Sequence, residues 1–329
     1  MKYIVISLAL SFFLFSCSKE KENEYIETHK VVRQTYSMGS VVEIQIINKD
    51  TLRAIAAIDK AFLELARISD KYSTFISNNY MSEMNNAGSE FKVDAETYYM
   101  LKQCDFAYEA TNHTFDAALG SLIKLVGFEE GKPKMPTQKQ IDSVITSTGW
   151  KHIDLSSSLL LKRTAPVKIN FGGIGDGYSL DKAAAVIKSF GIDTFLINAG
   201  GEVRANGKTW NIGIQHPRKR GQFLGVLQLE NKSVSTSGDY EKFFQKSGKR
   251  FSHIIDPRTG QPCDNSQAVT IIADKGIRAD ALATGIFVLG PIDGMKAISK
   301  LKNVECLIVD KNGKVTMSPG FEKYFKKVK

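Results

Sequence analysis

From Val31 to Asn48 hydrophobic and polar residues alternate, with a break at Met38-Gly39. A period of two predicts two strands joined by a tight turn. Directly afterwards the period lengthens: Leu52, Ile55, Ile58, Phe62, Leu65 and Ile68 recur every three or four positions. That spacing predicts an amphipathic helix over Thr51–Tyr72 with these six residues on its buried face. Further helices are expected over Ala95–Thr111, Gln138–Thr148 and Tyr178–Phe190, and one starting near Ala279. Short strands are expected in WKHIDL (150–155), a hairpin over Leu159–Leu161 and Val167–Ile169, and a strand over Ser252–Ile255. TFLINAGG (194–201), WNIGIQ (210–215), GVLQLE (225–230) and AVTIIA (268–273) read as further strands. Neither a strict βαβ alternation nor an all-β spacing fits this order, so the expected class is α+β.

One stretch breaks the globular pattern. The apolar run from Tyr3 to Phe15 follows Lys2 and is too short for a bilayer span of about 20 residues. It has the length and flanks of a signal peptide's apolar core. Its end, Leu14-Phe15-Ser16-Cys17, resembles a bacterial lipobox, and the charged SKEKENEYIE that follows reads as a tether. The expectation is a cleaved segment 1–16, a lipidated Cys17 with a tether over 17–33, and a single catalytic unit over 34–329. With 44 Lys and Arg against 35 Asp and Glu, the chain carries a formal charge of +9. This balance suits an anionic ligand or a membrane surface. No cluster of cations with interleaved aromatics appears, which argues against nucleic acid. Beyond Cys17, the cysteines Cys104, Cys263 and Cys306 are far apart and odd in number, forming neither a disulfide framework nor a zinc motif.

Four stretches carry candidate chemistry. SHIIDPRTG (252–260) holds His253 just before a proline-containing turn, well placed to move a proton at a pocket rim, with an ordinary pKa near 6.5. NFGGIGDGY (170–178) is a glycine-rich turn into a helix, of the kind that offers backbone N–H groups to a phosphate. It lacks the acid of a dinucleotide fold and the Gly-Lys-Ser/Thr of a Walker loop. In RADALATG (278–285), Asp280 and Thr284 lie four apart, one turn apart on one helix face. A carboxylate and a hydroxyl are hard oxygen ligands suited to Mg²⁺; the plainer reading has Asp280 capping its own helix. SVSTSGDYEKFF (233–244) places hydroxyls and a glycine at a strand end.

Taken in order, Met38-Gly39, YSTF (72–75), SEMN (82–85), TNHTFD (111–116), GGIGDGYSLD, INAGGEVRANGK, STSGDYEKFF, SHIIDPRTGQP and ADALATGIFVLG resemble the FAD:protein FMN transferases over nearly the whole mature chain. The resemblance implies a T-fold-like α+β fold and Mg²⁺-dependent transfer of FMN from FAD to a threonine hydroxyl of a partner protein, releasing AMP. It implies acceptors among the extracytoplasmic subunits of membrane redox complexes, and a lipid-anchored enzyme of the bacterial cell membrane facing the periplasm. By position, Gly173 (through its carbonyl), Asp280 and Thr284 match the metal ligands. Met38, Phe75, Thr114, Phe115, Asp116, Asn170 and Asp176 match flavin-site positions, and Ser237 and Ile254 lie in segments lining the same pocket. His253 matches the base for the acceptor threonine. Asp176 stands where many members carry Lys and others Glu, and Asn170 where many carry Asp. The same site would serve an FAD pyrophosphatase; a non-catalytic flavin carrier would need neither base nor metal.

Overall fold

A computed structural model describes residues 27–128 and 133–328. Cys17 and the segment expected to be cleaved lie outside them. The first strand, His29–Ser37, starts inside the expected tether and pairs in register with Ser40–Asn48. The expected boundary at residue 33 therefore falls inside a strand. These two strands open an eight-stranded sheet that continues, in spatial order, through Phe195–Ala199, Glu202–Asn206, Lys232–Gly238, Ser266–Ala273, Glu305–Asp310 and Val315–Met317. Every neighbouring pair is antiparallel.

Helices cover one face and a small sheet covers the other. Helix α1 (Thr51–Tyr72) lies on Val42, Ile44 and Ile46, alternate residues of their strand. Its buried stripe is Ala54, Ala57, Ile58, Ala61, Leu65 and Ile68, whereas Leu52 is 77% exposed. The face is thus rotated from the one expected. Alanines sit where α1 meets Ala183 and Ala184 of helix α6 (Gly175–Ser189), because small side chains allow a close approach. Ile58 and Leu65, fully buried, each contribute about 1.5–3 kcal/mol. On the opposite face Trp210–Gln215, Phe223–Leu229 and Phe325–Lys327 form a three-stranded sheet around Leu227, Leu229 and Phe321. Ser266–Ala273, caught between this sheet and the helices, is buried at every position.

A helical lobe sits at one end. It contains α2 (Tyr80–Asn86), α3 (Ala95–Ala110), α4 (Gly120–Val126) and α5 (Gln138–Ile145). Leu160–Arg163 pairs with Glu90–Lys92 and with Ile153–Asp154. The hairpin expected between Leu159–Leu161 and Val167–Ile169 is absent, since Val167–Ile169 is irregular backbone. Asn85 ties that segment down, donating to the Ile169 carbonyl and accepting from the Ile169 N–H. WKHIDL begins as a helical turn, Trp150–His152, and only Ile153–Asp154 pair as strand.

Helix α7 (Gly276–Ile298) is long and apolar, and Ala279, Leu282, Ala283, Ile286 and Phe287 bury it as the central core helix. Gly290, at φ 76°, and Pro291 break its regular course. The start of α7 crosses the start of α6, and neither helix has a side-chain cap of its own. Each caps the other instead. Asp181 of α6 accepts from the N–H groups of Gly276 and Ile277, at 2.8 and 3.1 Å. Asp280 of α7 accepts from the Gly177 N–H at 2.9 Å. The crossing is closed by glycines: a Cβ on Gly177 would lie 2.2 Å from the Gly276 carbonyl oxygen, and one on Gly276 would lie 2.4 Å from that of Gly177. Backbone atoms on both sides cannot give way. Gly177→Ala should therefore lower stability by about 3 kcal/mol or prevent soluble expression, from overpacking. Gly88→Ala, which meets nothing within 4 Å, should stay within about 1 kcal/mol of the parent. Urea denaturation of the two variants checks this.

Candidate active site

The crossing of α6 and α7 forms the floor of a cavity of about 490 Å³. Every site residue expected from the sequence, other than Cys17, lines it: Met38, Phe75, Thr114, Phe115, Asp116, Asn170, Gly173, Asp176, Ser237, His253, Ile254, Asp280 and Thr284. A second cavity of about 610 Å³, on the side of the small sheet, shares Met38, Asp176, Glu202, Thr236, Glu241 and Lys242 with the first.

The rim is built from turns. Met38 and Gly39 are the two central residues of the first hairpin, both with positive φ (54° and 79°). Such a turn favours Gly, Asn or Asp, so a methionine there is a strained residue held at a cavity edge. Phe75 stands opposite on the loop between α1 and α2, 75% exposed, an apolar ring presented to solvent at the mouth. Thr114 is fully engaged. Its hydroxyl lies 2.7 Å from the Thr111 carbonyl and 2.8 Å from that of Gly285, which docks the TNHTFD loop on α7. Asp116 accepts from the N–H groups of Ala118 (2.7 Å) and Trp150 (2.9 Å). Burial still pushes its pKa up to about 6.

On the floor, Asp280 is 5% exposed and does not cap its own helix, contrary to the plainer reading of the sequence. Ser237 and Thr284 bring their hydroxyls to 3.4 Å. A Cβ on Gly173 would lie 3.1 Å from the Thr284 hydroxyl, so backbone and hydroxyl converge. Among the described residues no three His, Cys, Asp or Glu groups form a metal set. A cation here would take Asp280, Thr284 and the Gly173 carbonyl, with further oxygens from ligand or water. That is the chemistry of Mg²⁺, and the donors fit. The electrostatics point the same way. The pKa of Asp280 is raised by burial and then by the charge of Asp176. That of Glu202 is raised by burial and then by Asp280, Asp176 and Glu241.

The glycine-rich turn behaves differently from its expected role. Helix α6 begins at Gly175, earlier than the sequence spacing indicated. The N–H of Gly172 is taken by the Asn170 side chain, that of Gly175 by the Phe171 carbonyl, and that of Gly177 by Asp280. These amides serve the fold. Glycine is required at Gly177 for the helix crossing instead.

His253 lies just past the strand Lys249–Ser252, and Ile255–Asp256 pairs separately with Gln261–Pro262. The expected strand through Ser252–Ile255 is thus broken at the histidine. Asp256 bonds Arg258, at 2.7 Å, and shapes the turn, leaving His253 as the chemical residue of the stretch. The Lys242 carbonyl accepts from the His253 N–H at 3.0 Å and lies 3.1 Å from Nδ1. A carbonyl only accepts, so Nδ1 carries the proton and Nε2 keeps its lone pair. The Phe128 ring packs edge-to-face against this imidazole, with centroids 6.2 Å apart, and the Lys242 charge acts on it as well. Burial lowers its pKa to about 4, well below the ordinary value. Sequence reasoning missed Lys242, Glu202 and Glu241. Each stands in a quoted motif, but only the fold shows that they share one space.

The buried acids have a consequence for stability. An acid whose pKa is higher folded than unfolded costs nothing below its unfolded pKa, about 3.9 for Asp. The cost grows as pH rises from there toward the folded pKa, because the unfolded chain ionises first. Asp280→Asn keeps an acceptor for the Gly177 N–H and removes that charge. Without divalent cation the variant should melt higher than the parent at pH 8 and equal to it near pH 4. Added Mg²⁺ should raise the melting temperature of the parent and not of the variant. Thermal melts with and without Mg²⁺ at the two pH values test this.

A sequence model described as the ApbE family matches residues 38–308 of the chain. The chain is 28% identical to the FAD:protein FMN transferase of Vibrio cholerae, covering 98% of this chain and 97% of that one. It is 28% identical to the same enzyme of Escherichia coli strain K12, covering 97% and 96%. Among solved structures it superposes on the ApbE protein of Thermotoga maritima with a TM-score of 0.84 at 29% identity, over 92% of this chain and all of that one. On the flavin transferase ApbE of Vibrio cholerae the TM-score is 0.81 at 27% identity, over 91% and 100%. The match begins at the strained hairpin tip and ends in the strand that follows α7, spanning every part of the cavity: this chain belongs to the ApbE family.

Proposed function

We propose that this chain transfers the FMN half of FAD to a threonine hydroxyl of a partner protein, releasing AMP. One observation carries the reading: the bare Nε2 of His253 shares a single cavity with the Gly173–Asp280–Thr284 oxygen set and an exposed aromatic face on Phe75. A flavin ring stacks on the flat face of Phe75. The threonine hydroxyl, a weak nucleophile, gives its proton to Nε2 as its oxygen attacks the FMN phosphorus. The bond from that phosphorus to the bridging oxygen breaks, and AMP leaves with the electron pair. Asp280, Thr284 and the Gly173 carbonyl would hold Mg²⁺, which would supply charge compensation for the phosphates. Asp116 and the hairpin tip at Met38 shape the walls around the flavin. Asn170 and Asp176 line the same cavity, and Asp176 also borders the second one.

His253→Ala should bind FAD like the parent and transfer FMN about 10²- to 10⁴-fold more slowly. Because burial holds the imidazole neutral, the parent rate should be level from about pH 6 to 8 and fall on acidification toward pH 4, as Nε2 takes a proton. This replaces the rise near 6.5 expected of an exposed histidine. The mass of a candidate acceptor after incubation with FAD and Mg²⁺ across pH is the measurement. Free FMN and AMP with no gain of mass on the acceptor would make the reaction hydrolysis. A variant that transfers at the parent rate would remove His253 from the chemistry.

The acceptors we propose are extracytoplasmic subunits of membrane redox complexes, reached by an enzyme anchored through Cys17 to the bacterial cell membrane and facing the periplasm. The signal-like segment and the lipobox-like LFSC support this reading. Cys17→Ser should abolish lipid labelling and leave the protein unprocessed or soluble on fractionation; labelling that persists would refute the anchor.

A further inference from the structure

The joined cavities present a charge problem. Asp116, Asp176, Glu202, Glu241 and Asp280 line them, five carboxylates around the space meant for a dianionic pyrophosphate. The glycine-rich turn relieves little of this, since three of its four glycine N–H groups, those of Gly172, Gly175 and Gly177, are bonded within the protein. Helix α6 does not point a free N-terminus at the ligand either, because its first turn is capped by Asp280, itself an acid. Among the described residues lining either cavity, Lys242 alone is a lysine or arginine, and it lines both. Its ammonium makes no ion pair within 4 Å among the described residues, whereas Arg218 and Arg250 nearby are both spent on Asp239. Lys242 also lies close enough to Asp176, Glu241 and His253 for its charge to act on all three. Its backbone carbonyl is the group that orients His253.

We propose that Lys242 is the fixed cation of the site, set to hold the pyrophosphate of FAD where the two cavities meet and to stabilise charge on the phosphoryl oxygens during transfer. The proposal rests on the reading of FAD as substrate. The placement is coherent: one residue fixes the base through its carbonyl and faces the electrophile through its ammonium. The proton moves to His253 Nε2, the P–O bond to threonine forms, the P–O bond to AMP breaks, and Lys242 exchanges no atom with either. A fixed cation beside a phosphoryl centre acts electrostatically, most strongly where charge builds up in the transition state.

The test separates charge from shape. Lys242→Met and Lys242→Arg would be compared with the parent in binding FAD and riboflavin by flavin fluorescence, and in transfer to an acceptor by mass spectrometry. Riboflavin has the ring and no phosphate. Lys242→Met should weaken FAD about tenfold or more, leave riboflavin within about twofold, and lower the transfer rate at saturating FAD by about 10- to 100-fold. Lys242→Arg should recover most of both losses. Unchanged FAD affinity, a parallel loss for riboflavin, or no recovery with arginine would each overturn the proposal. Parent protein that binds FAD but fails to modify the acceptor would instead count against the transfer reading.

Discussion

Two helix N-termini meet face to face at the centre of this protein, and their backbones touch through Gly177 and Gly276. Helix starts carry unsatisfied N–H groups and partial positive charge, so bringing two together is unfavourable without acceptors between them. Asp181 and Asp280 provide those acceptors reciprocally, each from the opposite helix. The consequence is an unusual economy of position. Asp280 must be where it is for α6 to start, and the same carboxylate forms the floor of the cavity. The approach leaves no room for a side chain on either glycine, which fixes Thr284 and Gly173 relative to one another as well.

That arrangement also explains why the cavity is acidic. An aspartate serving as a helix cap is favourable on its own, but burial raises the pKa of both Asp280 and Glu202, and the nearby charges of Asp176 and Glu241 raise them further. Among the described residues, the fold supplies a single lysine against them on the cavity wall. Such a site is electrostatically incomplete without a cation. That unbalanced charge sits on the cavity floor, and it is opposed by the well-packed clusters on both sides of the sheet.

The histidine shows how little sequence proximity says about a residue's work. Asp256 and Arg258, which accompany it in SHIIDPRTG, bond each other and hold the turn. The groups that control His253 come from elsewhere: the carbonyl of Lys242, eleven positions earlier, and the ring of Phe128. A backbone carbonyl has no signature in the sequence. Both the tautomer and the lowered pKa are therefore tertiary properties.

Local periodicity was enough for the first hairpin, for the extents of α1 and α3, for the central strands and for the α+β class, because each follows from a repeat of two or about 3.6 within one segment. The order of short motifs was enough to bring together the cavity-lining residues, since motif order survives even where spacing does not reveal contact. Which face of α1 is buried was not legible: the larger side chains Leu52 and Ile55 were outweighed by alanines that let α1 approach α6. Nor was the fate of the glycine-rich turn legible, as three of its glycine amides are claimed by Asn170, Phe171 and Asp280, the last over a hundred positions away. Segment patterns report what a stretch prefers by itself. Caps, tautomers and cavity charge are decided by which distant groups reach the same few ångströms, and only the folded chain makes that choice.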